Sequence, residues 1–240
     1  MKHIHDHHGV EEHTSTGQHI KSIIYGGLDG IITTFAVVSG VAGAHLEAGV
    51  ILIMGFANLI ADGISMAVGD YLSTKAEQEY QKRERQREEW ELHHYPKGEK
   101  EEMIEIYIRK GYSKEDATKI ISLLMKNKDR FVDTMMADEL GIPESAENPV
   151  TNAAFTFGSF ILFGFVPLFA FVGSKLFGWF GEFTFPLSMI LTALTMFSLG
   201  AAKVRLTGRD WLKSGLEMLF VGGLAASAAY GIGVLLGGLA

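Results

Sequence analysis

Cysteine is absent from this chain of 240 residues. Disulfide frameworks, thiolate metal sites and cysteine nucleophiles are therefore all excluded. Positive charge is also scarce, because 21 basic side chains stand against 28 acidic ones and the net charge is −7. Binding to nucleic acid requires a basic surface, so we expect no nucleic-acid partner. The chain also lacks a Walker loop, a Gly-x-Ser-x-Gly elbow and a His-Glu-x-x-His motif, so we expect no nucleotide partner and no enzymatic activity.

The N-terminus has no apolar segment behind a basic start, so it is not a secretory signal peptide. It is instead rich in histidine, and we expect residues 1–20 to form a disordered tail. Imidazole rings bind Zn²⁺, Ni²⁺ or Fe²⁺, so a loose role in gathering metal is one interpretation of this tail. The histidines concerned are His3, His5, His7, His8, His13 and His19.

Charged residues are also scarce outside one segment. Residues 75–148 hold 18 of the 28 acidic and 14 of the 21 basic side chains. A helix that crosses a bilayer needs about 20 mainly apolar residues. Five stretches meet this requirement, and a soluble bundle is disfavoured because they leave no polar face for water. We therefore predict an all-α polytopic membrane protein embedded in a lipid bilayer. Its predicted spans are 22–44, 46–72, 150–173, 183–204 and 214–238, so that residues 21–74 carry the first two and residues 149–240 the last three.

The orientation follows from the basic residues in short loops, which lie on the cytoplasmic side. The loop between the fourth and fifth spans contains Lys203, Arg205, Arg209 and Lys213. Alternation then places the N-terminus and the 75–148 insert in the cytoplasm. Because no targeting extension is evident, a prokaryotic plasma membrane is favoured over a vacuolar membrane.

The 75–148 insert is predicted to be helical. The second span should continue without a break to His94, because no glycine or proline interrupts the charged run. Residues 95–98 predict a turn, followed by a helix over 99–109. Ser113 before two acidic residues is typical of a helix N-cap. A further short helix over 129–140 should end at the Gly-Ile-Pro sequence that follows.

Polar residues inside the predicted spans mark candidate sites, because charged groups in lipid are costly. Asp29 lies among glycines, which leave room for a partner helix or an ion; the alternative is an interfacial acid that reaches water. On the second span Asn58, Asp62, Met66 and Asp70 recur every four residues and share one helix face. Oxygen with sulfur suits a borderline transition metal, although a methionine in an apolar helix usually only packs.

The insert carries the second set of candidates. Carboxylates recur at helical spacing on two of its predicted helices, and two methionines precede another carboxylate on a later turn. The alternative is a solvated charged face interleaved with basic residues. A single Glu-x-x-His sequence at 91–94 has the spacing used in di-iron bundles, but no second copy exists. The candidates are Glu84, Glu88, Glu91, Glu99, Glu102, Glu105, Met135, Met136 and Glu139.

Four motifs taken together resemble the vacuolar iron transporter family. They are GLDG at 27–30, ISMAVGDYL at 64–72, MMADELG at 135–141 and KVRLTG at 203–208. The resemblance implies five spans per subunit, a homodimer with the ion path near its two-fold axis, and export of Fe²⁺ from the cytosol by exchange for protons. It also implies that Mn²⁺, and by extension Co²⁺ or Zn²⁺, are further candidate ions. The insert would then be a helical metal-binding domain.

When the family's functional residues are carried over by position, the resemblance implies that Asp29 and Met66 handle the metal in the membrane. In the insert it implies five carboxylate ligands with two methionines beside them, namely Glu88, Glu91, Glu99, Glu102 and Glu139 with Met135 and Met136. Asn58 occupies a position where some family members have a glutamate, and Asp62 lies one turn further on. Two other functions stay open: a membrane-anchored metal sensor or store, and a di-iron oxidase, which would need a second Glu-x-x-His.

Overall fold

A computed structural model describes residues 16–143, 147–178, 181–207 and 210–239. These residues form helices and no strand, which confirms the all-α prediction. Most of the predicted histidine-rich tail lies outside the described residues, but the first helix already begins at Thr16. The helices are α1 (Thr16–Gly43), α2 (Ala48–His94), α3 (Pro96–Arg109), α4 (Lys114–Leu124), α5 (Lys128–Asp138), α6 (Pro149–Gly164), α7 (Val166–Phe177), α8 (Thr184–Thr207) and α9 (Trp211–Leu236).

The chain divides into two compact units. The membrane unit comprises Met1–Tyr71 and Val150–Ala240, and the insert unit comprises Leu72–Pro149. The 47-residue helix α2 contributes residues to both units and ends at His94. The prediction that the second span continues to His94 is therefore confirmed.

Among the described residues, four helices are long and apolar enough to cross a membrane: Ile20–Gly43, Ala48–His94, Gly181–Val204 and Trp211–Leu239. The predicted third span is not one straight helix, because α6 and α7 are bent by 49° at the break between them. Pro167 lies in the first turn of α7 and has no N–H to extend the hydrogen-bond ladder of α6. Counted as one broken span, this pair brings the number of spans to five.

Glycines bring α1 and α6 into backbone contact within the membrane unit. A Cβ atom on Gly26 would collide with the carbonyl oxygen of Thr156, and one on Gly30 with the backbone of Phe160. Small residues allow this approach, which replaces the hydrophobic drive that lipid does not supply. Leu59 of α2 and Phe160 are both buried in the core of this unit. The glycines on either side of Asp29 therefore accommodate a partner helix.

The insert unit begins its second helix earlier than predicted. The predicted turn over 95–98 is wrong, because α3 starts at Pro96 directly after Tyr95. Proline fits the first turn of a helix, since its missing N–H would have no intrahelical partner there. The predicted N-cap is confirmed: the Ser113 hydroxyl accepts a hydrogen bond from the backbone N–H of Asp116 at 3.1 Å. The predicted helix over 129–140 is α5, Lys128–Asp138, with Asn127 as its N-cap.

Candidate metal sites

Three carboxylates of the insert meet near the junction of α2 and α3. Glu88, Glu91 and Glu99 each offer an oxygen atom, and these three atoms all lie within 4.8 Å of one another. Glu88 and Glu91 lie on α2, and Glu99 lies in the first turn of α3. The early start of α3 helps to explain the arrangement, because only Tyr95 separates the two helices and the first turn of α3 therefore stays close to the end of α2. Glu88 is 1% exposed and Glu99 is 7% exposed, so the group is largely shielded from water.

Glu139, at the C-terminal end of α5, lies outside the three converging oxygens but close enough to interact electrostatically with all three residues. Burial raises the pKa of Glu139 to about 7, and repulsion from Glu102, Glu99 and Glu91 adds to the effect. Burial likewise raises the pKa of Glu88 to about 7, with Glu139 the strongest of its repelling neighbours. The pKa of Glu99 is raised by burial and by Glu91 and Glu102. The three converging carboxylates and Glu139 thus lie close enough to repel one another, and we call these four residues the carboxylate group (Glu88, Glu91, Glu99 and Glu139).

Two oxygen atoms of the carboxylate group have no hydrogen-bond partner within the described part of the chain. They are Oε2 of Glu88 and Oε2 of Glu139, and both are buried. A buried carboxylate oxygen without a partner is costly, because water solvates it in the unfolded chain. A divalent cation bound among these carboxylates would give such an oxygen a partner and offset the repulsion between the carboxylates. The residues present therefore fit a bound cation.

The other predicted carboxylates of the insert are arranged differently. Glu102 is exposed, but it is close enough to raise the pKa of Glu139. Glu84 forms an ion pair with Arg87, with 3.9 Å between Oε2 and Nη1. Glu105 is exposed. In the described ranges, the group with converging oxygens includes neither Glu84 nor Glu105.

The Glu-x-x-His sequence does not build a mixed site. The Nδ1 atom of His94 lies 2.8 Å from the carbonyl oxygen of Trp90, and the two rings stack with centroids 4.3 Å apart. This histidine is absent from the converging group formed by the residues that the structure describes. The converging group that the structure describes therefore consists of carboxylates, and the sequence has no second Glu-x-x-His.

Met135 and Met136 lie in the hydrophobic core of the insert. Met135 is 0% exposed and Met136 is 7% exposed, and both pack with Phe131 and Val132. They are nevertheless close in sequence to the carboxylate group, since the backbone N–H of Glu139 donates to the carbonyl oxygen of Met135 at 2.9 Å. Core packing accounts for their burial, and their role as thioether ligands stays a prediction.

In the membrane unit, one face of α2 carries Asn58, Asp62, Met66 and Asp70, which we call the α2 stripe. These four residues have different surroundings. Asp62 is close enough to Asp29 of α1 for the two carboxylates to interact electrostatically, and both are half-buried. The Nδ2 atom of Asn58 is buried and has no hydrogen-bond partner among the described residues. Met66 packs against the core of the unit. The structure thus places Asp29 and Asp62 close enough to interact, and their part in an ion path stays a prediction.

Asp70 differs from the rest of the stripe because hydroxyl groups satisfy it. Its Oδ2 accepts hydrogen bonds from Thr156 at 2.5 Å and from Ser22 at 3.3 Å. These bonds join α1, α2 and α6, so the geometry gives Asp70 a structural role. The sequence interpretation missed its partners. A signal did exist, because Asn152, Thr156 and Ser159 are buried polar residues spaced i, i+4 and i+7 on an apolar helix.

Residues 20–234 match the VIT family. The chain is 40% identical over 233 residues to the vacuolar iron transporter of Toxoplasma gondii, a match that covers 94% of this chain and 77% of that protein. Identity to the vacuolar iron transporter of Plasmodium falciparum is 37% over 237 residues, covering 96% and 86%. Identity to vacuolar iron transporter 1 of Arabidopsis thaliana is 32% over 226 residues, covering 94% and 88%. With its membrane-spanning helices and this similarity over nearly its whole length, the chain belongs to the VIT family of membrane metal-ion transporters.

Proposed function

We propose that this chain exports Fe²⁺ from the cytosol across its membrane in exchange for protons, and that the insert collects the ion. The observation that carries the proposal is the carboxylate group, in which two buried oxygen atoms have no hydrogen-bond partner among the described residues. Membership of a transporter family supports movement of the ion rather than storage alone. No enzymatic activity is proposed.

The insert would bind the ion through carboxylate oxygens from three helices. Binding requires deprotonated carboxylates, so it releases protons, and metal affinity should rise with pH. Carboxylates alone discriminate weakly among divalent transition metals, so Mn²⁺, Co²⁺ and Zn²⁺ are also candidate cargo. Glu102 would complete the shell by a rotation of its exposed side chain, and Met135 and Met136 would favour Fe²⁺, Co²⁺ or Zn²⁺ over Mg²⁺ if they turned toward the ion.

In the membrane, Asp29 and Met66 would handle the ion, with Asp62 facing the same space. The proximity of Asp29 and Asp62 supports this path, because two carboxylates side by side attract a divalent cation or share a proton. Asn58 cannot carry a proton as a carboxylate does, so the coupling role falls to Asp29 or Asp62. A homodimer with the path near its two-fold axis is part of the same proposal and comes from the family resemblance.

The membrane and the orientation complete the proposal. The relatives are eukaryotic proteins named for the vacuole, which supports a vacuolar or other organellar membrane and gives no support to a prokaryotic plasma membrane. The basic residues between the last two spans favour a cytoplasmic insert.

The test is flux into proteoliposomes that contain the purified chain, with Fe²⁺, Mn²⁺, Co²⁺ and Zn²⁺ compared side by side. We expect Fe²⁺ uptake that is faster when the lumen is acidic and that slows when a protonophore collapses the gradient at clamped voltage. Uptake that ignores the proton gradient would replace the antiporter by a uniporter. Metal binding without any uptake would instead favour the membrane-anchored sensor or store.

A further inference from the structure

Three side chains of the insert meet where the C-terminal ends of α3 and α5 come together. The Lys110 ammonium forms an ion pair with Oδ1 of Asp138, and the Tyr107 hydroxyl donates a hydrogen bond to the same carboxylate. The Lys110 Nζ atom lies 5.0 Å from the centre of the Tyr107 ring. We call Tyr107, Lys110 and Asp138 the anchor.

The anchor has more interactions than an ordinary surface ion pair and is less exposed to water. An ordinary surface pair contributes little to stability because water screens it. Asp138 receives two donors from the same helix, and its side chain is 25% exposed. The Tyr107 ring stacks on Tyr112 with centroids 5.6 Å apart and packs against the insert core. The cation above an aromatic ring adds a further attraction. The anchor therefore fixes the end of α5 at one place along α3.

Its position matters because Asp138 is the last residue of α5 and Glu139 is the C-cap. Helix ends fray, because the last carbonyl groups lack onward partners. Beyond this end the chain turns at Gly141, which has a φ of +68° that an L-residue rarely adopts. Glu139 also enters a centre where Glu88, Glu91 and Glu99 repel it. Contacts elsewhere at this end of α5 must offset that repulsion if Glu139 is to stay in place.

We propose that Asp138, clamped by Lys110 and Tyr107, is a positioning residue that keeps Glu139 within the carboxylate group and so sets the metal affinity of the insert. This inference rests on the proposed metal binding of the insert. The ligands Glu99 and Glu102 and the clamping residues Tyr107 and Lys110 all lie on or directly after α3. Asp138 thus contacts the C-terminal end of α3, and Glu139 interacts electrostatically with Glu99 and Glu102 nearer its N-terminal end. Fixing Asp138 therefore also fixes the position of Glu139.

The test measures Co²⁺ binding to the full-length chain in lipid nanodiscs by isothermal titration calorimetry. Residues that orient metal ligands typically change affinity by about 10–100-fold when they are replaced. We expect Lys110→Met to weaken binding by about 10-fold and Tyr107→Phe to weaken it less. Lys110→Arg should retain affinity, because a guanidinium still pairs with Asp138. The matched control is Lys119→Met, which removes an exposed ion pair to Glu115 on α4 and should leave affinity unchanged.

A double-mutant cycle separates positioning from general stability of the insert. In a Glu139→Gln background, Lys110→Met should cause no further loss of affinity, since the ligand that it positions is already gone. An equal loss in both backgrounds would overturn the inference, because the anchor would then act on the whole insert.

Unchanged affinity in Lys110→Met, with weakened binding in Glu139→Gln, would overturn the inference and leave the metal-binding insert standing. Unchanged affinity in Glu139→Gln would also overturn the inference alone, because Glu139 would not be a ligand while Glu88, Glu91 and Glu99 could still bind the ion. Absence of Co²⁺ binding to the original chain would overturn the metal-binding insert as well. The melting temperature of each metal-free variant identifies any that fail to fold, and for these the milder Tyr107→Phe is used in the same cycle.

Discussion

The insert and the membrane unit each bury carboxylates, but the neighbours of these carboxylates differ between the two units. In the insert, Glu88 and Glu139 meet other carboxylates, and each has a buried oxygen that no described residue satisfies. In the membrane unit, Asp70 meets the hydroxyl groups of Ser22 and Thr156 and is satisfied. Hydroxyl partners make a carboxylate a structural link between helices, whereas crowding by like charges leaves a carboxylate in need of a cation or a proton.

Asp29 and Asp62 share features with both arrangements. They lie in the membrane unit, yet their electrostatic contact is with each other, as in the insert. Asp29 and Asp62 therefore differ from Asp70 in having a carboxylate neighbour, whereas Asp70 has hydroxyl partners. This difference exists although Asp62 and Asp70 lie on the same face of α2. The predictions below test that difference, beginning with the largest expected effect.

Replacing Asp29 by Asn should reduce Fe²⁺ flux to the level of empty proteoliposomes, because the variant removes the charge that faces Asp62. Met66→Ala should reduce flux strongly as well. The matched control is Asp70→Asn, whose amide oxygen still accepts from Thr156 and Ser22, so it should retain most of the flux. Loss of flux in Asp70→Asn with normal folding would contradict the proposal that Asp70 is structural while Asp29 and Asp62 handle the ion.

Replacing Glu102 and Glu139 together by Gln should abolish the stabilisation that metal gives the insert. A ligand at 100 times its Kd stabilises the folded chain by about 2.7 kcal/mol, and the double variant should lose this shift in Tm. Transport should fall without being abolished, because Asp29 and Met66 remain. The check is Tm with and without Co²⁺, and an unchanged shift would contradict the assignment of Glu139.

The metal-free chain should lose stability as pH rises. The pKa values of Glu88 and Glu139 are raised to about 7 in the folded state, above the unfolded value of 4.5. The folded state therefore binds more protons than the unfolded state across this window. The stability is fully present below pH 4.5 and is lost as pH rises through about 7, which should lower Tm by a few degrees.

Metal should reverse this dependence, because binding needs deprotonated carboxylates. Thermal melts from pH 5 to pH 8, with and without Co²⁺, would show it. Replacing both Glu88 and Glu139 by Gln is the control, and it should flatten both curves. Parallel curves for the original chain and the control would contradict the raised pKa values.

Removing the Thr156 hydroxyl by Thr156→Val should lower the free energy of unfolding by about 1.5–3 kcal/mol, the range for a hydrogen bond to a charged group. Thr156→Ser keeps the donor and should cost less. Flux per folded protein should be nearly unchanged, because we expect Asp70 to link helices rather than to contact the ion. A selective loss of flux in Thr156→Val would assign Asp70 to the path after all.

The smallest effect is expected at the start of α4. Ser113→Ala removes the cap on Asp116 and should cost about 1 kcal/mol of stability. The carboxylate group should not change, so Co²⁺ affinity should be the same in calorimetric titrations. Weaker binding in this variant would mean that α4 also positions the ligands.

Features with local causes were predictable from the sequence. The Ser113 cap, the continuation of α2 to His94 and the end of α5 before Gly141 each follow from a few adjacent residues. The start of α3 at Pro96 was misread as a turn, since proline suits both a turn and a first helical turn. The break near Pro167 was missed because hydropathy measures length and composition but not direction.

Features that depend on the meeting of distant segments were not predictable. Thr156 lies 86 residues from Asp70, and no local pattern pairs them. Helical spacing nominated Glu84 and Glu105 as readily as Glu88 and Glu99, because spacing gives a shared face without saying what that face contacts. Only the packing of α2, α3 and α5 selects Glu88 and Glu99 for the buried centre and leaves Glu105 in water.

The tight junction between α2 and α3 also shapes the assembly of the carboxylate group. Glu88 and Glu99 are eleven residues apart, whereas Glu139 follows Glu99 by forty residues. Loop-closure entropy grows with the logarithm of loop length, so the first three carboxylates converge at a smaller entropic cost than the fourth. During synthesis, the segment that carries Glu88, Glu91 and Glu99 is made before α5. We therefore expect Glu88, Glu91 and Glu99 to converge before Glu139 joins them.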